Sequence, residues 1–234
     1  MSTDFWIGAR FCGPPQSANG GYTCGRLDHL TPYVSEVTLR KPPPLQTALS
    51  VAWEGDQLHL LDGETLIATC RPGAVEIAAP APPTFAEAEA AAQHYLGLRQ
   101  ENPFPTCFVC GVQRDAGDGL HIFAGATDRH DLLAAPWVPD ASLADAAGQV
   151  NNEFIWAALD CPGAYAQMAD QPRILVLGRM TAQVLHPVQA GEKCVVVAWP
   201  KSRDGRKYTS GTALYNADQQ LCAVSHQTWI ELTT

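Results

Sequence analysis

An amide and a carboxylate recur at the same interval in two parts of this 234-residue sequence. Asn19 precedes Asp28 by as many positions as Asn151 precedes Asp160. Amide N–H groups can stabilise the negative charge that develops on an attacked carbonyl oxygen. A carboxylate can attack such a carbonyl, or remove a proton from a water molecule that does so. The recurring pair therefore indicates acyl-transfer or hydrolytic chemistry.

Two glycines and further acidic residues surround these pairs. Gly20 and Gly21 come immediately before a predicted helix, where backbone N–H groups are free and carry a partial positive charge. Without side chains, they would let a substrate carbonyl approach that backbone closely. The candidate catalytic residues are Asn19, Asp28, Asp145, Glu153 and Asp160. The candidate substrate-binding residues are Gly20, Gly21, Tyr22, Asn151 and Asn152.

Each candidate also has a purely structural interpretation. Asn19 is a favoured helix N-cap, and Gly20-Gly21 is a common turn sequence. Asp28 could be a solvated carboxylate near a helix end. Asp160 differs, because it follows apolar residues of a predicted helix, where burying an unpaired carboxylate is costly. Glu153 precedes it by about two helical turns, so the two carboxylates lie near one helix face.

The elements that must position these residues are repeated. Each half predicts a central helix, Tyr22–Leu30 and Asn152–Asp160, and each helix is followed by four strands. Cys161-Pro162-Gly163 is expected to end the second helix. A helix followed by antiparallel strands buries its apolar side when the sheet wraps around it. The order predicts an α+β fold with two antiparallel sheets, each wrapped around a central helix.

The strands are predicted from apolar alternation and from turn sequences. In chain order, the strands predicted after the helices are Glu36–Arg40, Ala48–Trp53, Gln57–Leu61, Thr65–Arg71, Arg179–Val184, Val195–Trp199, Tyr208–Tyr215 and Cys222–Ile230. Two further strand candidates, Phe5–Phe11 and Leu132–Val138, precede the two helices. Residues 1–83 are predicted to form an N-terminal domain, and residues 107–234 a C-terminal domain. Residues 84–106 between them form a linker helix and loop, and the capping-box spacing of Thr84 and Glu87 marks the helix start.

Four stretches resemble the hotdog thioesterase superfamily. Residues 184–192 resemble the Pro-x-x-x-Gly-Glu/Asp turn after that family's first long strand, and residues 206–229 resemble its last two strands. Asn19-Gly20-Gly21, with Asp28, resembles the His-Gly-Gly and Leu-x-Asp of phenylacetate-pathway thioesterases, with Asn19 in place of histidine. Residues 145–152 resemble the Asp-x-x-Gly-His-Val-Asn-Asn of the hydroxybenzoyl-CoA thioesterase group, with Gln149 in place of histidine.

The resemblance implies a tandem double hotdog that hydrolyses acyl thioesters, such as acyl-CoA, between its two halves. In that family the carbonyl lies at the N-terminus of the central helix, and the carboxylate often comes from the paired domain. The two halves of this chain differ, because Gly20-Gly21 leaves room for a ligand where Asn152-Glu153 would crowd and repel it. We therefore expect one working site, built from Asn19, Gly20 and Gly21 with Asp160 and Glu153.

Two other functions are compatible with the same fold. The hydratase and dehydratase branch carries an aspartate closely followed by histidine in a distinctive loop. Asp28-His29 and His130-Asp131 are such pairs, but they lack that context. A non-catalytic acyl-thioester binder is the other alternative, because Asn19 and Gln149 stand where the resembling families have histidine.

Charge and composition narrow the range of partners. The net charge is −9, with 15 Lys and Arg against 24 Asp and Glu, and no basic run occurs. This argues against nucleic-acid binding, which needs clustered cations. No segment approaches the ~20 apolar residues that span a membrane, and no secretory signal pattern is visible. We expect a cytoplasmic protein with a small-molecule acyl thioester as its partner, and a homodimer would give a four-hotdog assembly.

Metals and cofactors are not expected from the sequence. Eight cysteines are present, and the only Cys-x-x-Cys is formed by Cys107 and Cys110. One such motif supplies half of the four ligands that tetrahedral zinc requires. The sequence therefore predicts no metal site, and no cofactor apart from the CoA portion of the substrate.

Overall fold

The computed structural model describes residues 5–99, 102–168, 171 and 173–232. Its first half contains α1 (Gly20–Asp28), β1 (Ser35–Leu39), β2 (Ser50–Glu54), β3 (Gln57–Asp62) and β4 (Thr65–Pro72). A connecting region contains α2 (Phe85–Ala92), α3 (Leu96–Arg99), β5 (Gly125–Ala126) and β6 (Leu133–Trp137). The second half contains α4 (Asn152–Tyr165), β7 (Leu175–Val184), β8 (Cys194–Asp204), β9 (Lys207–Tyr215) and β10 (Leu221–Glu231). Each half therefore has the predicted order of a helix followed by four strands.

The ten strands form one antiparallel sheet, which corrects the two sheets predicted from the sequence. The strand order is β2-β3-β4-β1-β7-β10-β9-β8-β6-β5. β1 and β7 pair in the middle, with Val37 opposite Met180, and each half then adds its fourth, third and second strands outwards. The half-sheets join because β1 and β7 would otherwise present unpaired backbone groups at two edges. The strand order thus has an internal twofold pattern.

The helices α1 and α4 lie in contact with each other and with the sheet. α1 packs against β1, β4 and β7, whereas α4 packs against β7, β8, β9 and β10. The approach is closest at Gly21, where a Cβ atom would lie 2.6 Å from both Asp160 Cβ and the Trp156 carbonyl oxygen. At Gly25, one turn later, a Cβ atom would lie 2.7 Å from Glu153 Cα. These glycines bring residues from both halves together.

Helix α4 continues through Cys161-Pro162-Gly163, where the sequence predicts its end. A proline in a helix interior removes a backbone hydrogen bond and costs about 3 kcal/mol. Packing offsets this cost, because the residues from Phe154 to Tyr165 are all buried. The sheet also contributes hydrogen bonds on either side of the proline. Gln227 donates to the carbonyl of Leu159 at 2.6 Å, and Ser210 donates to that of Gly163 at 2.6 Å.

The sequence predicts one linker helix from Phe85 to about Leu98, and the structure has two shorter helices there, of which α2 begins at the predicted residue. Thr84 Oγ1 accepts from the backbone N–H of Glu87 at 3.2 Å, and the Glu87 carboxylate accepts from that of Thr84 at 2.7 Å. α2 packs mainly against β6 and so covers the outer end of the sheet. In the described part of the chain, no helix is long and apolar enough to cross a lipid bilayer.

Candidate active site

A cavity of about 590 Å³ opens where the two halves meet. Its wall includes the start of α1, the second half of α4, the first residues of β7 and the loop that carries the Cys-x-x-Cys motif. Apolar side chains form much of the interior, among them Tyr165, Met168, Leu177 and Trp229. This size and lining suit an organic ligand with an apolar portion.

Asn19 and Asp160 meet in the wall of this cavity. Asn19 Nδ2 donates to Asp160 Oδ2 at 2.7 Å, and the backbone N–H of Gly21 donates to the same oxygen at 3.0 Å. Asn19 is also the N-cap of α1, since its Oδ1 accepts from the backbone N–H of Tyr22 at 2.9 Å. A single side chain therefore begins one helix and orients a carboxylate on the other.

The Asp160 carboxyl group is almost wholly removed from solvent, with an exposed fraction of 2%. Burial raises the pKa of Asp160 to about 7, although the hydrogen bonds from Gly21 and Asn19 act in the opposite direction. Its second oxygen, Oδ1, has no hydrogen-bond partner within the described residues. A buried carboxylate oxygen without a partner is unfavourable unless a ligand or water occupies it. Oδ1 is thus the carboxylate oxygen whose hydrogen-bonding capacity is unused.

Asp28, which matches Asp160 in the repeat, contacts Asn152, whereas the residue that matches Asn19 in the repeat is Asn151. Asn152 Nδ2 donates to Asp28 Oδ2 at 2.9 Å and to the carbonyl of Gly25 at 3.2 Å. Burial raises the pKa of Asp28, and hydrogen bonds partly offset the rise. Neither Asp28 nor Asn152 lines the cavity around Asp160. The two amide–carboxylate pairs both bridge the helices, but only the Asn19–Asp160 pair belongs to this cavity.

Four further candidates, Tyr22, Asp145, Asn151 and Glu153, lie outside the cavity wall. Asp145 is exposed and closes a turn, accepting from the backbone N–H groups of Ala147 and Gln149. Asn151 precedes α4 without capping it through its side chain, and Glu153 lies in the first turn of that helix. Tyr22 is buried, with its ring stacked on Phe11 at 4.2 Å between centroids.

The two glycines have different surroundings from each other. Gly20 lies in the cavity wall, as the sequence suggests for a substrate contact. Gly21 donates its N–H to Asp160, and the space where a side chain would stand is filled by Asp160 and Trp156. Close approach at Gly21 thus serves the contact between helices.

Three cysteines in the same wall were not among the predicted site residues. Cys107 and Cys110 lie on the loop before β5, and Cys161 follows Asp160 on α4. Their sulfur atoms all lie within 4.8 Å of one another, with Cys107 Sγ 3.6 Å from Cys161 Sγ. Hydrogen bonds with the other two thiols lower the pKa of Cys107, and the contact with Cys107 is the largest cause that raises the pKa of Cys110 and of Cys161. The sequence showed the Cys-x-x-Cys motif but not its proximity to Cys161.

Two exposed cations border the cavity on the side of the first half. Arg40 and Lys41 follow β1 directly and contribute to the cavity wall. Within the described residues, neither side chain forms an ion pair. In a chain of net charge −9, these two adjacent cations give the border of the cavity a local positive charge.

Comparisons with known proteins identify the fold. A protein described as an oleoyl thioesterase from Lactobacillus plantarum superposes with a TM-score of 0.57 at 11% identity, covering 100% of this chain and 96% of that one. The PaaI protein of the Escherichia coli phenylacetic acid degradation operon covers 63% of this chain, with 96% of its own length aligned, at 14% identity and a TM-score of 0.47. A thioesterase from Haemophilus influenzae covers 53%, with 85% of its own length aligned, at 21% identity and a TM-score of 0.46. No family model and no curated protein matches the sequence. The superposition on the oleoyl thioesterase shows that the chain has a hotdog fold over its whole length.

Proposed function

We propose that this protein hydrolyses acyl thioesters, with acyl-CoA as the substrate class, in the cavity between its two halves. The observation that carries the proposal is the Asp160 carboxylate, which is buried in the cavity wall and held by Asn19 and Gly21 across the two halves. The fold is shared with proteins described as thioesterases, which supports the reaction class.

Asp160 acts on the water molecule that attacks the thioester. Asn19 and Gly21 occupy Oδ2, so the unpartnered Oδ1 accepts the proton of the water. The water oxygen bonds to the carbonyl carbon, and the resulting oxyanion then collapses with cleavage of the C–S bond. The proton passes to the leaving thiolate, and the products are a carboxylic acid and a thiol.

The N-terminus of α1 stabilises the oxyanion. Gly20 is the first residue of α1 and lies in the cavity wall. Backbone N–H groups in the first turn have no acceptor within the helix and carry a partial positive charge. Because Gly21 already donates to Asp160, Gly20 is the backbone donor assigned to the substrate.

Two other parts of the cavity bind the two ends of the substrate, the acyl chain and the phosphate groups. The acyl chain packs against Leu177, Met168 and Trp229, whose side chains are apolar and buried. Arg40 and Lys41 bind phosphate groups at the exposed border of the cavity. This arrangement favours acyl-CoA over thioesters that lack phosphate.

A panel of acyl-CoA substrates tests the proposal directly. Release of free thiol is followed with a thiol reagent over a series of acyl chain lengths, with 2-enoyl-CoA included to detect hydration. Thiol release that depends on enzyme concentration is the expected result. Hydration of enoyl-CoA without thiol release would replace hydrolysis by the hydratase activity. Saturable binding without either reaction would identify a non-catalytic binder.

A further inference from the structure

The three cavity cysteines form a group that the proposed hydrolysis does not use. Cys107, Cys110 and Cys161 are all buried, and each lines the cavity. Isolated buried cysteines are ordinary core residues, and the other five cysteines of the described chain belong to no comparable group. Within the described residues, this is the one set of three potential ligand side chains whose ligand atoms lie within 4.8 Å of one another.

The loop that carries two of the sulfurs is tightly folded. The backbone N–H of Gly111 donates to the carbonyl of Cys107 at 2.9 Å, and a Cβ at Gly111 would clash with that oxygen. The loop is fixed from outside by a 2.7 Å hydrogen bond from the N–H of Phe108 to the carbonyl of Cys12. The positions of Cys107 and Cys110 are therefore set by the backbone before any ligand binds.

The third sulfur comes from a rigid helix. Cys161 lies within α4, which continues past Pro162 because it is buried against the sheet. Had the helix ended at Asp160, as the sequence predicts, Cys161 would have had no fixed direction. The helix instead holds its sulfur 3.6 Å from that of Cys107.

The spacing of the sulfurs matches the requirements of a tetrahedral thiolate site. Zinc binds cysteine sulfur at about 2.3 Å, which places neighbouring sulfurs of a tetrahedron about 3.8 Å apart. The Cys107–Cys161 separation of 3.6 Å is close to this value, and the whole group lies within 4.8 Å. Small rotations of the side chains would bring all three sulfurs to one ion.

We propose that Cys107, Cys110 and Cys161 bind one soft divalent cation, zinc, through three thiolates, and that its fourth position opens to the cavity. The sequence predicted no metal because one Cys-x-x-Cys supplies only half a ligand set, and the fold supplies a third ligand from a distant segment. Three protein ligands with one open position are the arrangement of catalytic zinc sites, whereas structural sites are closed by a fourth. A ligand oxygen or sulfur that enters the cavity beside Asp160 would reach the ion.

Metal analysis of the full chain tests this inference without reference to hydrolysis. The protein is produced with added zinc, purified with a reductant that does not chelate metals, and analysed by mass spectrometry of the elements. About one zinc per chain is expected. The chelator-treated protein is then titrated with Co²⁺, which gives intense thiolate-to-metal absorption bands when it replaces zinc in such a site. Retention of less than a tenth of an equivalent of zinc by the wild-type protein, together with no cobalt bands, would overturn the proposal.

Matched cysteine substitutions locate the bound metal. Cys107→Ser and Cys161→Ser are each expected to lower zinc content at least tenfold and to remove the cobalt bands. Cys222→Ser and Cys24→Ser, at buried cysteines outside the group, are expected to keep both. Equal loss in all four variants, or metal retained in Cys161→Ser, would contradict the assignment. Because the chelator and cobalt titrations use the wild-type chain, misfolding of a variant does not decide the outcome.

Discussion

The side chain of Asn19 in the first half donates to the Asp160 carboxylate in the second half at 2.7 Å. The same amide caps the helix whose N-terminus borders the cavity. Neither half alone contains this pair, so the site exists only when α1 and α4 are in contact.

Replacing Asp160 by asparagine should abolish most thioesterase activity. Asparagine has nearly the same shape and can still accept from Asn19 and Gly21, but it cannot take up the proton of the attacking water. Loss of a general base commonly lowers the rate ~10²–10⁴-fold. Steady-state thiol release from the best acyl-CoA measures the effect.

Asp28→Asn is the matched control, because Asp28 holds the equivalent position in the repeat and accepts from Asn152. Its kcat/KM should remain close to that of the wild type, since it lies outside the cavity wall. An inactive Asp28→Asn protein beside a fully active Asp160→Asn protein would assign the site to the other helix pair.

Two substitutions of Asn19 should separate helix capping from orientation of Asp160. Serine is also a good N-cap but is too short to replace the amide donor. Asn19→Ser should therefore keep nearly wild-type stability while kcat/KM falls about 10- to 100-fold, as expected for loss of one hydrogen bond to a charged group. Asn19→Ala removes both functions and should also lower the free energy of unfolding by about 1 kcal/mol.

Urea denaturation and thiol release on the same samples provide the comparison for Asn19. If Asn19→Ser were as active as the wild type, the hydrogen bond to Asp160 would be structural only. If Asn19→Ser were as unstable as Asn19→Ala, serine would not cap α1, and the loss of activity could not be assigned to the hydrogen bond with Asp160 alone.

The repeat predicted the order of helices and strands because that order depends on local features of the sequence. Apolar alternation and turns placed the eight strands predicted after the helices within five residues of their observed bounds, and the capping box placed Thr84 and Glu87 correctly. The candidate Leu132–Val138 is also a strand, whereas Phe5–Phe11 ends in a 3-10 helix, Ala9–Phe11. No local feature of the sequence indicates that the two half-sheets join through β1 and β7. β1 alternates in the same way whether its outer edge meets solvent or β7.

The site shows the same division between local and long-range information. The matching interval between Asn and Asp in the two halves predicted that these two residue types act together. The resemblance predicted that Asn19 works with the carboxylate on the helix of the other half, Asp160. The predicted end of α4 at Asp160 was wrong, because burial against the sheet offsets the energetic cost of Pro162 within the helix. That error concealed Cys161, whose contact with Cys107 depends on the helical direction of its side chain.

Gly21→Ala should destabilise the contact between helices. The new methyl group would lie 2.6 Å from both Asp160 Cβ and the Trp156 carbonyl oxygen, and the backbone oxygen cannot move independently. Overpacking of this kind costs about 1–3 kcal/mol. Denaturant unfolding measures the change in the free energy of unfolding.

Gly8→Ala is the control, because the atoms nearest to the new methyl group belong to the ring of Trp6, which is 51% exposed and can move aside. Equal stability of the two variants would show that α1 and α4 can separate without loss.

The last prediction concerns the phosphate groups of the substrate. Arg40 and Lys41 border the cavity, and within the described residues neither is engaged in an ion pair. Each exposed contact to phosphate is worth about 0.2–1 kcal/mol, so the double alanine variant should raise KM for acyl-CoA about 2- to 30-fold with little change in kcat. The same acyl group on N-acetylcysteamine carries no phosphate, and its KM should be unaffected.

Lys201→Ala is the control for the loss of a surface cation, because Lys201 is exposed on β8 and does not line the cavity. Raising the ionic strength should reduce the difference between the wild-type and double-variant proteins, since salt screens exposed charges over about 8 Å at physiological concentration. An equal rise in KM for both thioesters would show that the two cations shape the cavity instead of binding phosphate. An unchanged KM for both thioesters would show that Arg40 and Lys41 do not contact the phosphates of CoA. It would favour a substrate in which the acyl group is attached to a carrier protein.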